Sequence, residues 1–159
     1  MKGLDKYTKM KHISIFNRNG ITIMIFLLFI CCGKENLVRN PYLRELTFSV
    51  PIDLNLPQFN NLRYAGGSAL LPEYGHKGIL VFNLNGSTYL AWEASCPHHQ
   101  PNACSRTEVV GVLTECACEN YQYSLATGQL LNPLEGQKTI YSLVSYQVQT
   151  QGNRLVISN

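Results

Sequence analysis

The chain has 159 residues, enough for one domain and some extra sequence. Its apolar fraction of 45% and its scattered aromatics are those of a globular protein, not a disordered one. The formal charge of +3 sits in the first segment (Lys2, Lys6, Lys9, Lys11, Arg18 against Asp5); beyond Cys32 eight basic side chains face nine acidic ones, and such a near-neutral body argues against nucleic acid as a partner.

The first element is an address. Ile21 to Ile30 reads ITIMIFLLFI, an apolar run interrupted only by Thr22. It is too short for a comfortable membrane span and right for the core of a signal peptide, with the lysines before it as the positive region. Cys31 and Cys32 follow directly, then Gly33-Lys34-Glu35-Asn36. A cysteine closing a signal core resembles a bacterial lipobox, in which the thiol takes a diacylglycerol. Cleavage prefers a small residue before that cysteine, which favours Cys32 over Cys31. Residues 1–31 are thus read as signal and 32–41 as lipidated cysteine and polar tether. Two or more acyl chains hold a protein firmly on a bilayer. The expected location is the cell envelope, lipid-anchored outside the cytoplasm, with the outer membrane favoured. An uncleaved apolar anchor would give the same side of the membrane.

Residues 42–159 read as β structure. Leu43 to Val50 alternates in part. Gly78 to Leu84 and Ser87 to Glu93 flank Asn85-Gly86, the strongest short hairpin signal. Ile140 to Thr150 alternates, turns at Gln151-Gly152-Asn153 and returns as Arg154 to Ile157. No stretch combines helical periodicity with caps. Gly66-Gly67 and Pro72 to Gly78 read as loops. The pattern predicts an all-β antiparallel sandwich or small barrel.

Four cysteines fall in this domain: Cys96, Cys104, Cys116 and Cys118, in the segments CPHHQPNAC and CAC. In an exported protein an even number first suggests disulfides. Yet Cys96-Pro97-His98 places a thiol and an imidazole two apart, and a second pair of thiols follows about twenty residues later. Two loops that each give one thiolate and one imidazole build a Rieske centre, with two Cys on one iron and two His on the other.

The stretch CPHH…CACENYQYSLATGQLLNP resembles the Rieske family pattern of C-x-H, a spacer, then C-x-C-H-G-x-x-[FY]-x-x-x-x-G. VFNLNGSTYLAWEASCPH resembles the strand, turn and strand that feed the family's first loop. Asn132-Pro133 stands where the family has its proline loop, and the closing hairpin matches too. The resemblance covers Gly78 to Ile157 well and Tyr42 to Lys77 loosely. It implies a Rieske-like sandwich or barrel with a small two-loop subdomain at one end.

Carried over by that resemblance, Cys96, His98 and Cys116 match cluster ligands. The fourth position, a histidine in the family, is Glu119, and the following glycine is Asn120. Cys104 and Cys118 match extra cysteines that some members join as a disulfide, although the first-loop spacing is longer here. A carboxylate is a harder, anionic ligand than imidazole. His99 is a conceivable substitute, but it follows His98 directly and neighbours tend to point apart. Members that carry a cluster across a bacterial membrane typically use a twin-arginine signal, and here Arg18 stands alone. Three readings result. The favoured one has no cluster, with Cys96–Cys116 as a second disulfide beside Cys104–Cys118. The next is a [2Fe–2S] electron-transfer protein with Glu119 or His99 as unusual fourth ligand. The last is another metal such as zinc on the Cys/His set, which an oxidising compartment disfavours.

The functional expectation is a disulfide-stabilised binding or accessory module on the membrane, within an envelope protein complex. Enzyme activity is not expected, because Rieske oxygenases need a second domain with mononuclear iron. Trp92 is expected in the core, and Tyr121 and Tyr123 as packing or outer groups. His76 is expected solvated, His12 leaves with the signal, and without a cluster His98 and His99 read as ordinary surface-loop histidines.

Overall fold

The computed structural model describes residues 39–159. The expected signal segment, Cys31, the expected lipidation site Cys32 and the expected tether as far as Val38 lie outside the described residues. Nine strands run in chain order: β1 Ser49–Asp53, β2 Ser68–Leu71, β3 Ile79–Asn83, β4 Tyr89–Glu93, β5 Thr107–Val110, β6 Leu113–Cys116, β7 Tyr121–Ser124, β8 Ser145–Gln151 and β9 Arg154–Ser158. They form a six-stranded sheet, β1-β9-β8-β4-β3-β2, and a three-stranded sheet, β5-β6-β7. Every pairing is antiparallel, so the all-β expectation holds. Among the described residues no helix is long and apolar enough to cross a membrane.

β3 explains the layering. A short continuous apolar run suits a strand covered on both faces, because successive side chains point to opposite sides. All five residues of ILVFN are buried. Ile79 and Val81 join one core with Val50, Ile52, Leu155 and Ile157. Leu80 and Phe82 join a second with Trp92, Cys96, Cys116 and Tyr123. The second core lies between the large sheet and the small one, and the two cysteine loops emerge from it. Trp92 is a core residue as expected; its indole N–H donates to the Leu125 carbonyl at 2.8 Å.

The Asn85-Gly86 turn connects β3 and β4 as expected. The Asn83 side chain accepts from the Gly86 amide at 2.6 Å, and Asn85 accepts from the Thr88 amide at 2.8 Å. Several elements differ from the sequence reading. Strand structure begins at Ser49 rather than Leu43, and at Ser145 rather than Ile140. Pro57–Arg63 is a 3-10 helix that seals the first core with Phe59 and Leu62. β2, β5 and β6 were not anticipated.

Candidate functional site: two cysteine loops at the tip of the sheets

The first loop leaves β4 under backbone control. Ser95 bridges to Arg106, the Cys96 amide donates to the Ser105 carbonyl at 2.8 Å, and the Thr107 amide to the Ala94 carbonyl at 2.8 Å. The loop therefore starts and ends at one place, and Cys96 is fixed at its base. The second loop joins β6 to β7. Its Asn120 has φ +58°, the left-handed region, and its amide donates to the Cys116 carbonyl at 2.8 Å. Asparagine tolerates that conformation better than most residues, so the turn survives without the glycine of the family pattern. Asn132 braces it from outside, donating to the Asn120 carbonyl at 2.8 Å and accepting from the Gln122 amide at 2.7 Å.

The two loops are cross-linked twice. Cys96 is joined to Cys116, with Cα atoms 5.7 Å apart, and Cys104 to Cys118, 5.4 Å apart. The inner pair is fully buried, whereas Cys104 is exposed and Cys118 half-buried. Glu119 reaches back over the inner bridge. Its Oε2 lies 3.2 Å from Cys116 Sγ and 3.6 Å from Cys96 Sγ. These are contacts rather than hydrogen bonds, since bridged sulfurs carry no proton and the carboxylate only accepts.

The histidines divide in an unexpected way. His99 turns inward, with Nε2 3.3 Å from Glu119 Oε2 and 3.8 Å from Cys116 Sγ. Its Nδ1 bonds the Gln100 carbonyl at 2.9 Å. A carbonyl can only accept, so Nδ1 carries a proton and faces away from the sulfurs. Cys96, His99, Cys116 and Glu119 place one donor atom each within 4.8 Å of one another.

His98, the ligand carried over from the family pattern, is not in that group. Its Nε2 accepts from the Tyr141 amide at 3.1 Å, which fixes the neutral tautomer with the proton on Nδ1. Nδ1 then donates to the Tyr123 hydroxyl at 2.8 Å. The ring packs against Tyr121 at 4.7 Å and Tyr141 at 5.4 Å between centroids. Burial, then the neighbouring His99, hold the His98 pKa below its ordinary value. Burial, then Tyr121 and Glu119, push the Tyr123 phenol above its own. Neither histidine is an ordinary surface-loop side chain. Tyr123 is more than packing: its hydroxyl also lies 4.0 Å from Cys96 Sγ.

A Rieske cluster needs two free thiolates on one iron and two imidazoles on the other. These residues do not fit it. The sulfurs are bonded to each other, both His98 nitrogens are engaged elsewhere, and Glu119 stands where the second imidazole belongs.

One group escaped the sequence reading and two others sit differently from it. Glu93 is fully buried at the end of β4. Its carboxylate accepts from the His76, Lys77 and Ser95 amides at 2.7, 3.0 and 2.9 Å and from the Tyr146 hydroxyl at 2.7 Å. A lone acid within the run YLAWEAS was the available signal. His76, expected to be solvated, is half-buried and its Nε2 bonds the Arg44 carbonyl at 2.9 Å. Asn40, placed in the tether by the sequence, donates to the Pro97 carbonyl at 2.8 Å, so the domain's contacts begin before Tyr42.

The chain matches no protein-family model and no curated protein. Among solved structures it is similar to the quaternary ammonium Rieske monooxygenase CntA in complex with L-carnitine. That likeness has a TM-score of 0.50 and 16% identity, and covers 70% of this chain and 31% of that one. It is also similar to the plasma membrane Rieske protein PetC3 from Synechocystis PCC 6803 (TM-score 0.46, 20% identity, 68% of this chain and 97% of that one). A third is the ferredoxin of carbazole 1,9a-dioxygenase from Nocardioides aromaticivorans IC177 (TM-score 0.43, 14% identity, 67% and 95%). Together with the two cysteine loops at the tip, the first of these likenesses defines the fold class, which is Rieske-like. At the tip of this chain two disulfides and a Glu119–His99 pair occupy the loops.

Proposed function

We propose that this protein is a lipid-anchored Rieske-fold module of the cell envelope whose tip is locked by a disulfide in place of an iron–sulfur centre. The observation that carries the reading is the buried Cys96–Cys116 bridge covered by Glu119. A disulfide offers no thiolate, and thiolate is what a metal binds. Cross-linked loops of this kind make a rigid recognition surface, as suits an accessory subunit of an envelope complex. Oxidising compartments maintain such bridges, which agrees with export. The membrane attachment rests on the apolar run Ile21 to Ile30 followed by Cys31-Cys32; lipid on Cys32 would hold the domain on the outer membrane.

Two measurements test this. The full chain, expressed in a bacterial host fed a labelled fatty acid, is expected to take up label and partition into detergent. Cys32→Ser should lose both properties; retention of both in that variant would move the lipid off Cys32, and no label on the parent chain would remove the lipid anchor. The untreated chain is also expected to show no Rieske-type visible absorption or reduced EPR signal. Such a signal would instead favour a [2Fe–2S] electron carrier with an unusual ligand.

A further inference from the structure

The geometry points to a redox-gated site for a single divalent ion of the zinc class, formed by Cys96, Cys116, His99 and Glu119 when the inner disulfide is reduced. This rests on the disulfide-locked reading above.

Three features carry it. The first is distance. With metal–ligand bonds of about 2.0–2.3 Å, the edges of a tetrahedral Cys₂HisGlu site span about 3.3–3.8 Å. Four separations lie on or beside that range: 3.2 and 3.6 Å from Glu119 Oε2 to the two sulfurs, 3.8 Å from Cys116 Sγ to His99 Nε2, and 3.3 Å from His99 Nε2 to Glu119 Oε2. The sulfur-to-sulfur edge is bonded and so too short, and the sixth edge, Cys96 Sγ to His99 Nε2, is bounded only by the 4.8 Å that encloses all four atoms. Reduction frees the two sulfurs to move apart and to adjust those edges. The second is orientation. Metal-binding histidines usually donate their other N–H to a carbonyl or carboxylate, and His99 does so to Gln100, leaving Nε2 aimed at the group. The third is electrostatic: an imidazole nitrogen and a carboxylate oxygen 3.3 Å apart are two electron donors that call for a proton or a cation between them. His98 has none of these properties, so the site keeps Cys96, Cys116 and the Glu119 position but takes His99 in place of His98 and one ion in place of a cluster.

The chemistry balances. Two equivalents of a thiol reductant open Cys96–Cys116 by exchange. The reductant leaves as its own disulfide, and each cysteine gains one hydrogen. Metal binding then replaces those two protons, which pass to solvent. The exposed Cys104 half of the outer bridge meets the reductant before the buried pair does, so two further equivalents of thiol open Cys104–Cys118 by the same exchange.

The test uses the full chain in detergent micelles, reduced anaerobically with a thiol, desalted and titrated with Co²⁺ as a spectroscopic stand-in for zinc. One Co²⁺ per chain is expected, with tetrahedral d–d bands and a sulfur-to-cobalt charge-transfer band, and neither band in the oxidised chain. His99→Gln and Glu119→Gln should each weaken binding at least tenfold, while His98→Gln binds like the parent. Should the reduced chain lose its β circular dichroism, added Co²⁺ must restore it. The inference is overturned by absence of the charge-transfer band, by equal binding to the oxidised chain, by parental affinity in His99→Gln, or by loss of binding in His98→Gln. Failure of cobalt to bind leaves the disulfide-locked reading standing, whereas iron and sulfide in the untreated chain remove it.

Discussion

At the scale of single residues, Glu93 and His98 do the most to hold the loops in place. The Glu93 carboxylate spans the large sheet and the loop before β3, satisfying three amides and one phenol without touching solvent. A buried donor left without its acceptor costs about 1–3 kcal/mol. Glu93→Gln turns an amide N–H₂ toward groups that also donate. Its urea midpoint should fall by a stability loss of about that size, while Tyr146→Phe, which removes only one bond, should cost less. His98 adds a pH dependence. Its folded-state pKa is lowered from 6.5, so the unfolded chain takes up the proton first. The stabilisation from neutral His98 is therefore complete above pH 6.5 and is lost as pH falls through the lower folded value. The groups facing the ring are His99, Tyr121, Tyr123 and Tyr141. Urea titrations between pH 4 and 8 should show this slope (about the range in which a His pKa shifts), and His98→Gln should flatten it. An unchanged slope would mean that the ring is not held through Nε2.

At the scale of elements, the outer bridge and the Asn120 turn decide the rigidity of the tip. Cys104→Ala with Cys118→Ala should cost about 2–4 kcal/mol, read from the thermal or urea midpoint with the inner bridge intact. Asn120→Gly should be tolerated at φ +58°, whereas Asn120→Ala should lose about 1 kcal/mol. Much at this scale was legible. The Asn85-Gly86 turn, the closing hairpin and both cysteine loops declare themselves through turn residues and alternation. The β5–β6 hairpin did not, because Val109, Val110 and Val112 are exposed and the run TEVVGVLTEC carries no alternation that separates inside from outside. The 3-10 helix Pro57–Arg63 begins with a proline, a recognised start signal, but is too short to show a helical period. Leu43 to Phe48 alternates like a strand yet hangs on isolated bonds to Asn40, His76 and Asn159. Which of His98 and His99 turns inward was beyond reach of the sequence: CPHH offers two identical rings, and the choice is made by the Tyr141 amide, 43 residues away.

At the scale of the molecule, one architectural feature organises the rest. A doubly covered β3 lets two sheets share a chain of only 121 described residues, and the end of the second core is where four cysteines meet. The fold is Rieske-like, and its two cysteine loops are closed on each other by two disulfides. The most direct measurement is made on the untreated chain, purified without oxygen. Free thiols, iron and acid-labile sulfide are quantified in one sample, and the cross-links are mapped by partial reduction and alkylation. The account predicts Cys96–Cys116 and Cys104–Cys118 links with neither iron nor sulfide in stoichiometric amount. Iron and sulfide at two per chain, with Cys96 and Cys116 unbridged, would contradict it.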